Sequence, residues 1–320
     1  MSKKIKNKQI IQTSVILIMA IFASLIFNIE HVSSALDSDY LVYLHHYEGV
    51  SAYGIQEGFK FRGWEPGYII LAYFFSRLGL SFENFLFLLS TFLAASYYFF
   101  SICVFKKIFP AVISTLIFLI SPFYESFFSI VIRQGFSIAF LLLSFYFYFL
   151  DRKLLFFIFS IIAISIHYSS IFVFIIFILA VKFSPLTFRV SLMVFLVSVI
   201  FYVLNFSYYV SHFVVEPLIG LIGYAGDSFG SYAVGFKFNF LVLTIFGASL
   251  IAIASYKNKI SGDATYLAKF FFLLSSVYML SSWLPYHDRI AIVTWIMIPI
   301  FFVAAIGVFK INLKKNYGNT

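Results

Sequence analysis

The chain has 320 residues, of which 62% are hydrophobic and only 11% charged, and it carries a formal net charge of +9. A soluble domain is roughly half apolar and a quarter charged, so these numbers exclude an ordinary soluble enzyme and point to an integral membrane protein with many helical spans. The positive charge is no nucleic-acid footprint, because the basic residues fall in small clusters between apolar runs, the cytoplasmic-loop pattern of the positive-inside rule; a lone cysteine, Cys103, excludes a disulfide framework and a cysteine-based metal site.

Lys3, Lys4, Lys6 and Lys8 precede an apolar run over 10–29, which puts the N-terminus in the cytoplasm. That run has no small-residue cleavage site and reads as a retained helix. Residues 30–67 form a first outer loop. It holds Asp37-Ser38-Asp39-Tyr40, a short interfacial helix over 40–47 and the run Arg62-Gly63-Trp64-Glu65-Pro66-Gly67-Tyr68. The apolar stretch 68–80 is short for a span and is expected to enter and return on the outer side. Residues 85–105 run inward to Lys106 and Lys107, 108–120 return, 121–126 make an outer turn, and 127–150 come back to Asp151-Arg152-Lys153. This leaves Arg133 within two turns of the outer surface. Residues 154–181 have His167 at their middle and basic residues at both ends (Lys153, Lys182, Arg189). Two short helices with an outer turn at 167–170 satisfy those charges better than one long tilted helix. Residues 188–206 then exit, 207–237 form a second outer loop, 238–256 return to Lys257 and Lys259, 266–284 exit to His287-Asp288-Arg289, and 290–309 return to Lys310, Lys314 and Lys315. The expected fold is all-α: one polytopic membrane domain over 1–320, about 10 crossings plus one short re-entrant segment, with the N- and C-termini cytoplasmic.

The basic clusters fall on the cytoplasmic side of this scheme. The polar residues that invite a function fall on the other: Asp39, Arg62, Glu65, Arg133, His167, Asp227, His287, Asp288 and Arg289. Arg133 interrupts an otherwise apolar run and costs at least about 3 kcal/mol there if it faces lipid. It must therefore snorkel, pair with a carboxylate such as Glu125, or meet an anion that suits its planar, permanently charged fork. The others have plainer readings too. His167 could pack at a helix turn, and Pro66 and Gly67 explain a rigid loop-to-helix junction at Glu65 without chemistry. Asp39 could cap the interfacial helix. The Arg289 turn could be solvated, and Asp227 sits in a Gly-rich loop.

No phosphate-binding Gly-rich loop, dinucleotide fingerprint, zinc helix or nucleophile elbow is present in the sequence. The donor is then lipid-linked or an ion gradient. Arginines (Arg133, Arg289, Arg62) suit a diphosphate whose charge grows as it leaves. A histidine or carboxylate suits the proton of an attacking sugar hydroxyl.

Asp37-x-Asp39-Tyr40, Glu65-Pro66-Gly67-Tyr68, Ile132-Arg133-Gln134 and Ala163-x-x-x-His167-Tyr168-Ser169, in this order, resemble the EpsG family, polytopic bacterial proteins similar to the Wzy-type polymerases of O-antigen, capsule and exopolysaccharide synthesis. The resemblance spans about residues 37–180, so Asp227 and Arg289 rest on the residue reading alone. It implies a membrane glycosyltransferase of the bacterial cytoplasmic membrane. At the outer face such an enzyme would move a glycan from its undecaprenyl-diphosphate carrier onto an incoming lipid-linked repeat unit, with no cofactor and no metal. On that resemblance Arg133 binds the donor diphosphate, with Gln134 and Tyr68 as further substrate contacts. His167 acts as base or second diphosphate contact, and Glu65 and Asp39 position the acceptor or supply the base. Implied partners are the lipid-linked oligosaccharide, membrane lipid, and a flippase and chain-length regulator of the same pathway, with no nucleic acid. Two other classes compete. A flippase or transporter lacks support from internal repeats or paired broken helices, and a membrane O-acyltransferase needs an acyl donor from the cytoplasmic side.

Overall fold

The computed structural model describes residues 39–60, 64–206, 209, 235–260, 262–282, 287–307, 309–311 and 313. Among them the regular structure is helical, with no strand. The expected first span, 10–29, and most of the loop over 207–237 lie outside the described residues.

Among the described residues four stretches are long and apolar enough to cross a membrane: Phe82–Phe105, Ile132–Phe149, Phe238–Tyr256 and Asp288–Ala305. A fifth arises if Ile108–Leu119 and Pro122–Phe128, bent by 63°, act as one span. Lys153–Ile166, Ser170–Lys182, Phe188–Val203 and Thr265–Leu280 are apolar but shorter than the roughly 20 residues a straight crossing needs. These helices mark the chain as a membrane protein. It packs as two compact units, Met1–Ile171 with Phe309–Thr320, and Phe172–Val308.

The first unit contains α1 (Asp39–Tyr53), α2 (Ile55–Lys60), α3 (Pro66–Arg77), α4 (Phe82–Phe105), α5 (Ile108–Leu119), α6 (Pro122–Ser129), α7 (Ile132–Phe149) and α8 (Lys153–Ile166). The expected short interfacial helix is the longer α1. One face of it, Tyr40, Tyr43, His46, Tyr47 and Val50, is buried, which is the i, i+3, i+4, i+7 stripe of a helix packed on a neighbour. Helix α3 has 12 residues, about 18 Å of rise, and cannot span a bilayer core alone. Helix α4 is capped by Ser81, whose side chain accepts from Asn84 N.

The run 127–150, expected as one helix, is two. Helix α6 starts with Pro122 at its N-terminus, and its ladder closes at Ile130 and Val131, whose N–H groups both donate to Ser126 O. The chain then restarts as α7, so Arg133 lies in the first turn of the stretch Ile132–Phe149 and not part-way along a helix that begins at 127. Gly135 makes the break compact: a Cβ there would sit 2.9 Å from Phe127 Cβ. The stretch 154–181 is also two helices, α8 and α9 (Ser170–Lys182), separated at His167–Ser169.

Helices α7 and α8 meet through small polar residues, as helix pairs in membranes do when backbones approach closely. Ser137 Oγ donates to Ala163 O (2.9 Å) and also contacts Ser170 Oγ. Ser144 Oγ donates to Phe156 O (3.0 Å) and bonds Ser160 Oγ (2.6 Å). Helix α3 is drawn onto α8 at Gly67, where a Cβ would lie 2.6 Å from the carbonyl carbon and 2.7 Å from the carbonyl oxygen of Ser165.

The second unit contains most of α9, then α10 (Phe188–Val203), α11 (Phe238–Tyr256), α12 (Thr265–Leu280), α13 (Asp288–Trp295) and α14 (Ile298–Ala305). The last expected helix, 290–309, is interrupted between α13 and α14, just before Pro299 at the start of α14, as a residue without an N–H dictates. Tyr202 and Tyr278 share a hydrogen bond of 2.8 Å, and Trp295 Nε1 donates to Thr244 Oγ1 (3.0 Å).

Gly67→Ala is expected to force α3 off α8 and to lower stability by about 1–3 kcal/mol, the usual cost of overpacking. Gly49→Ala, whose Cβ meets only Glu57 Cγ at 3.7 Å, should leave it unchanged or slightly raised. Thermal unfolding followed by fluorescence-detected size exclusion checks the pair; equal midpoints for both variants would overturn the close α3–α8 contact.

Candidate functional site

Glu65 is the residue on which the site converges. It is the N-cap of α3 by backbone (φ −78°, ψ 140°), and its carbonyl accepts from Tyr68 N and Ile69 N. Its side chain makes no capping bond. The carboxylate, 5% exposed as a residue, instead reaches two partners distant in sequence. Oε2 accepts from Arg133 Nη1, and Oε1 lies 2.8 Å from His167 Nδ1.

The four residues Glu65-Pro66-Gly67-Tyr68 thus each have a physical task. Pro66 fixes the first helical position. Gly67 lets α3 touch the backbone of Ser165, two residues before His167. Tyr68 turns into the core, with 0% exposure. Its hydroxyl has no hydrogen-bond partner among the described residues. Burial pushes this phenol well above the usual tyrosine range, with the Tyr43 side chain adding and Arg133 opposing, so it remains a neutral donor.

His167 caps α8 in extended conformation (φ −152°, ψ 111°). Its N–H donates to Ala163 O and its carbonyl accepts from Ser170 N. Ala163, fully buried, is also the acceptor for Ser137, which accounts for a small residue four positions before the histidine. The ring is held against Glu65 with 7% of the residue exposed.

Arg133, at the positive end of α7, is unfavourably placed toward the helix dipole and needs the carboxylate. Beyond Glu65 it donates Nε–H to Tyr43 Oη (3.3 Å), and its guanidinium carbon lies 4.9 Å from the Trp64 ring centroid. Trp64 in turn stacks on His46 at 3.8 Å and 10°, and Tyr43 meets Trp64 edge-on at 5.0 Å. Cation–π contacts of this kind are worth about 0.5–2 kcal/mol.

Two titrations follow from this packing. Glu65 is held below the usual glutamate range. Burial opposes ionisation, but the His167 hydrogen bond and the Arg133 charge outweigh it, so the carboxylate is ionised at neutral pH. His46, outside the spanning helices, is pushed down to about 4, mainly by burial; a Gly58 backbone hydrogen bond opposes this and the Arg133 charge adds to it.

The structure brings together Arg133, Glu65, His167 and Tyr68 of the expected residues, with Gln134 buried on the same turn as Arg133. Among the described residues the carboxylate in ion-pair contact with Arg133 is Glu65, where the sequence had offered Glu125 as an example. Asp39 opens α1 by its backbone, but its side chain, Arg62 and Asp227 lie outside the described residues. Arg289 belongs to the second unit, in the first turn of α13. Tyr43, His46 and Trp64 were not singled out by sequence reasoning; the spacing of Tyr40, Tyr43, His46, Tyr47 and Val50 is the signal that could have found the first two. Among the described residues no group of three or more His, Cys, Asp or Glu side chains could hold a metal ion.

The model of the EpsG family matches residues 4–318, a much longer stretch than the motifs over 37–180. No curated protein and no solved structure matches the chain.

A histidine that titrates near 4 when folded and near 6.5 when unfolded contributes stability that is complete above pH 6.5 and is lost as pH falls toward 4. Between pH 7.5 and pH 5 this amounts to about 2 kcal/mol. The thermal midpoint of the purified protein should therefore fall more steeply over this interval than that of His46→Asn. Parallel curves would mean that His46 binds its proton equally well in both states.

Proposed function

The chain belongs to the EpsG family, a Wzy-like polymerase family, and we propose from this that it is a polysaccharide polymerase. In this reading it joins undecaprenyl-diphosphate-linked repeat units at the outer face of the bacterial cytoplasmic membrane, for O-antigen, capsule or exopolysaccharide. The observation that carries the reading is one buried carboxylate, Glu65, holding both an arginine and a histidine. Those two side chains are what glycosyl transfer from a lipid diphosphate requires.

The chemistry distributes as follows. Arg133, with the phenols of Tyr43 and Tyr68 beside it, holds the donor diphosphate and takes up the charge that grows on it. The acceptor sugar hydroxyl attacks the anomeric carbon of the donor glycan. The bond from that carbon to the phosphate oxygen breaks, and undecaprenyl diphosphate leaves with the electron pair. The hydroxyl proton goes to His167. An ionised carboxylate only accepts, so Nδ1 facing Glu65 carries the hydrogen and Nε2 is the basic nitrogen. Glu65 then orients the ring, as a carboxylate does in a histidine-based triad.

Deleting the gene in its host and size-separating the surface or lipid-linked glycan tests this. The ladder is expected to collapse to a single repeat unit, to return with the wild-type gene, and to stay collapsed with Arg133→Ala or His167→Ala. Arg133→Lys should restore it only in small part, because a point charge loses the fork. An unchanged length distribution would overturn the polymerase. Loss of acetyl content at constant length would point to an acyltransferase, and repeat units held on the cytoplasmic leaflet to a flippase.

A further inference from the structure

The guanidinium of Arg133 has two edges that can grip an anion through two parallel N–H bonds, and both are already engaged by described residues. Nη1 gives its hydrogen to Glu65 and Nε gives its hydrogen to Tyr43 (3.3 Å). The two occupants differ in kind. Tyr43 is a neutral hydroxyl that can turn and donate to the same anion. Glu65 is a charge that an anion must meet at close range, and it is ionised because Arg133 and His167 keep it so. Across either edge, the Arg133–Glu65 pair presents an incoming diphosphate with a nearly neutral partner. Among the described residues, the other groups around it, Tyr68, Trp64 and His46, add no positive charge, since burial holds His46 neutral at working pH.

We infer that Glu65 is a positioning residue that deliberately weakens the hold of Arg133 on the diphosphate while it orients His167, so that the lipid diphosphate left after transfer is released. The inference rests on the diphosphate reading above and assigns to Glu65 two effects of opposite sign. It costs anion affinity through Arg133 and supplies turnover through His167. A merely structural carboxylate would lower both when removed.

The test uses the full-length protein in lipid nanodiscs, with inorganic pyrophosphate as probe and calorimetry as readout. Glu65→Gln keeps the shape and an acceptor oxygen but removes the charge. It is expected to bind pyrophosphate about tenfold more tightly than wild type, because the arginine loses its internal counterion. Its turnover with lipid-linked repeat units should fall by about a hundredfold or more, the size of a general-base effect. Glu65→Asp, which keeps the charge, should show no such tightening. Equal or weaker binding by Glu65→Gln, with binding still abolished in Arg133→Ala, would overturn the inference and leave the polymerase reading intact. Wild-type binding by Arg133→Ala would overturn the diphosphate reading itself.

A measurement on the wild-type protein guards against a Glu65→Gln variant that does not fold. With 13C-labelled glutamate, the infrared difference spectrum on adding pyrophosphate is expected to show a shifted carboxylate stretch, absent in Arg133→Ala, as the guanidinium is shared with the anion. A spectrum with no change in the carboxylate bands would show that pyrophosphate does not reach the Arg133–Glu65 pair, and the inference would fall.

Discussion

A guanidinium in the first turn of α7 has to be neutralised, and the ends of α3, α7 and α8 meet so that Glu65 can do it. Arg133 sits against the helix dipole, in an apolar stretch of sequence, and cannot lose its charge. Its partner is 68 residues away in sequence, and the same carboxylate reaches a histidine 102 residues away. One side chain therefore ties together the starts of α3 and α7 and the end of α8. A buried ion pair is weak evidence for stability, because apolar side chains of similar volume often serve as well. Its cost makes sense if the arginine is needed for what it can bind.

The approach of those three helix ends depends on residues that have almost no side chain. Gly67 admits the backbone of Ser165, Gly135 admits Phe127, and Ala163 leaves its carbonyl open to Ser137. With lipid as solvent there is little hydrophobic drive between helices, and close backbone contact with serine hydroxyls supplies the association. The small residues flanking Glu65, Arg133 and His167 are thus the means by which three charged or titratable groups are brought to one point. The aromatic wall completes the arrangement. Trp64, adjacent to Glu65 in sequence, lies between His46 and Arg133 in its contacts and stiffens the guanidinium's position without adding charge.

Much of this was legible in the sequence for reasons of cost. An arginine and a histidine in apolar runs stand out because membranes make them expensive, and basic residues at both ends of 154–181 required the break that His167 occupies. The carboxylate partner was harder. Glu125 is near Arg133 in sequence, yet the break at Ile130–Val131 separates α6 from α7, and Glu65 takes the guanidinium. That break is invisible to hydropathy, since both sides are equally apolar; it comes from where the backbone ladder closes and how Gly135 packs. Tyr43, His46 and Trp64 were lost for another reason. In a chain with 46 Phe and 22 Tyr, an aromatic residue carries almost no signal of its own, and only its helical spacing or the charge it touches distinguishes it. Arg289 had the right chemistry but belongs to the second unit.

On the proposed reaction a choice that residue types alone left open, between Glu65 and His167 as the base, can be argued from the same contacts. A base must gain a proton during the reaction, and Glu65 is held ionised by two partners, below the range of an ordinary carboxylate. Lowering a carboxylate's affinity for protons makes it a poorer base, so the neighbours that stabilise Glu65 also disqualify it. On the proposed reaction His167 takes the hydroxyl proton at Nε2, with the Glu65 carboxylate already held at Nδ1 on the other side of the ring. On the proposed reaction, Arg133 therefore acts at two places, on the leaving diphosphate directly and on the base through Glu65. This shared carboxylate couples the two ends of the transfer, so that charge withdrawn from Glu65 by Arg133 is charge unavailable to His167.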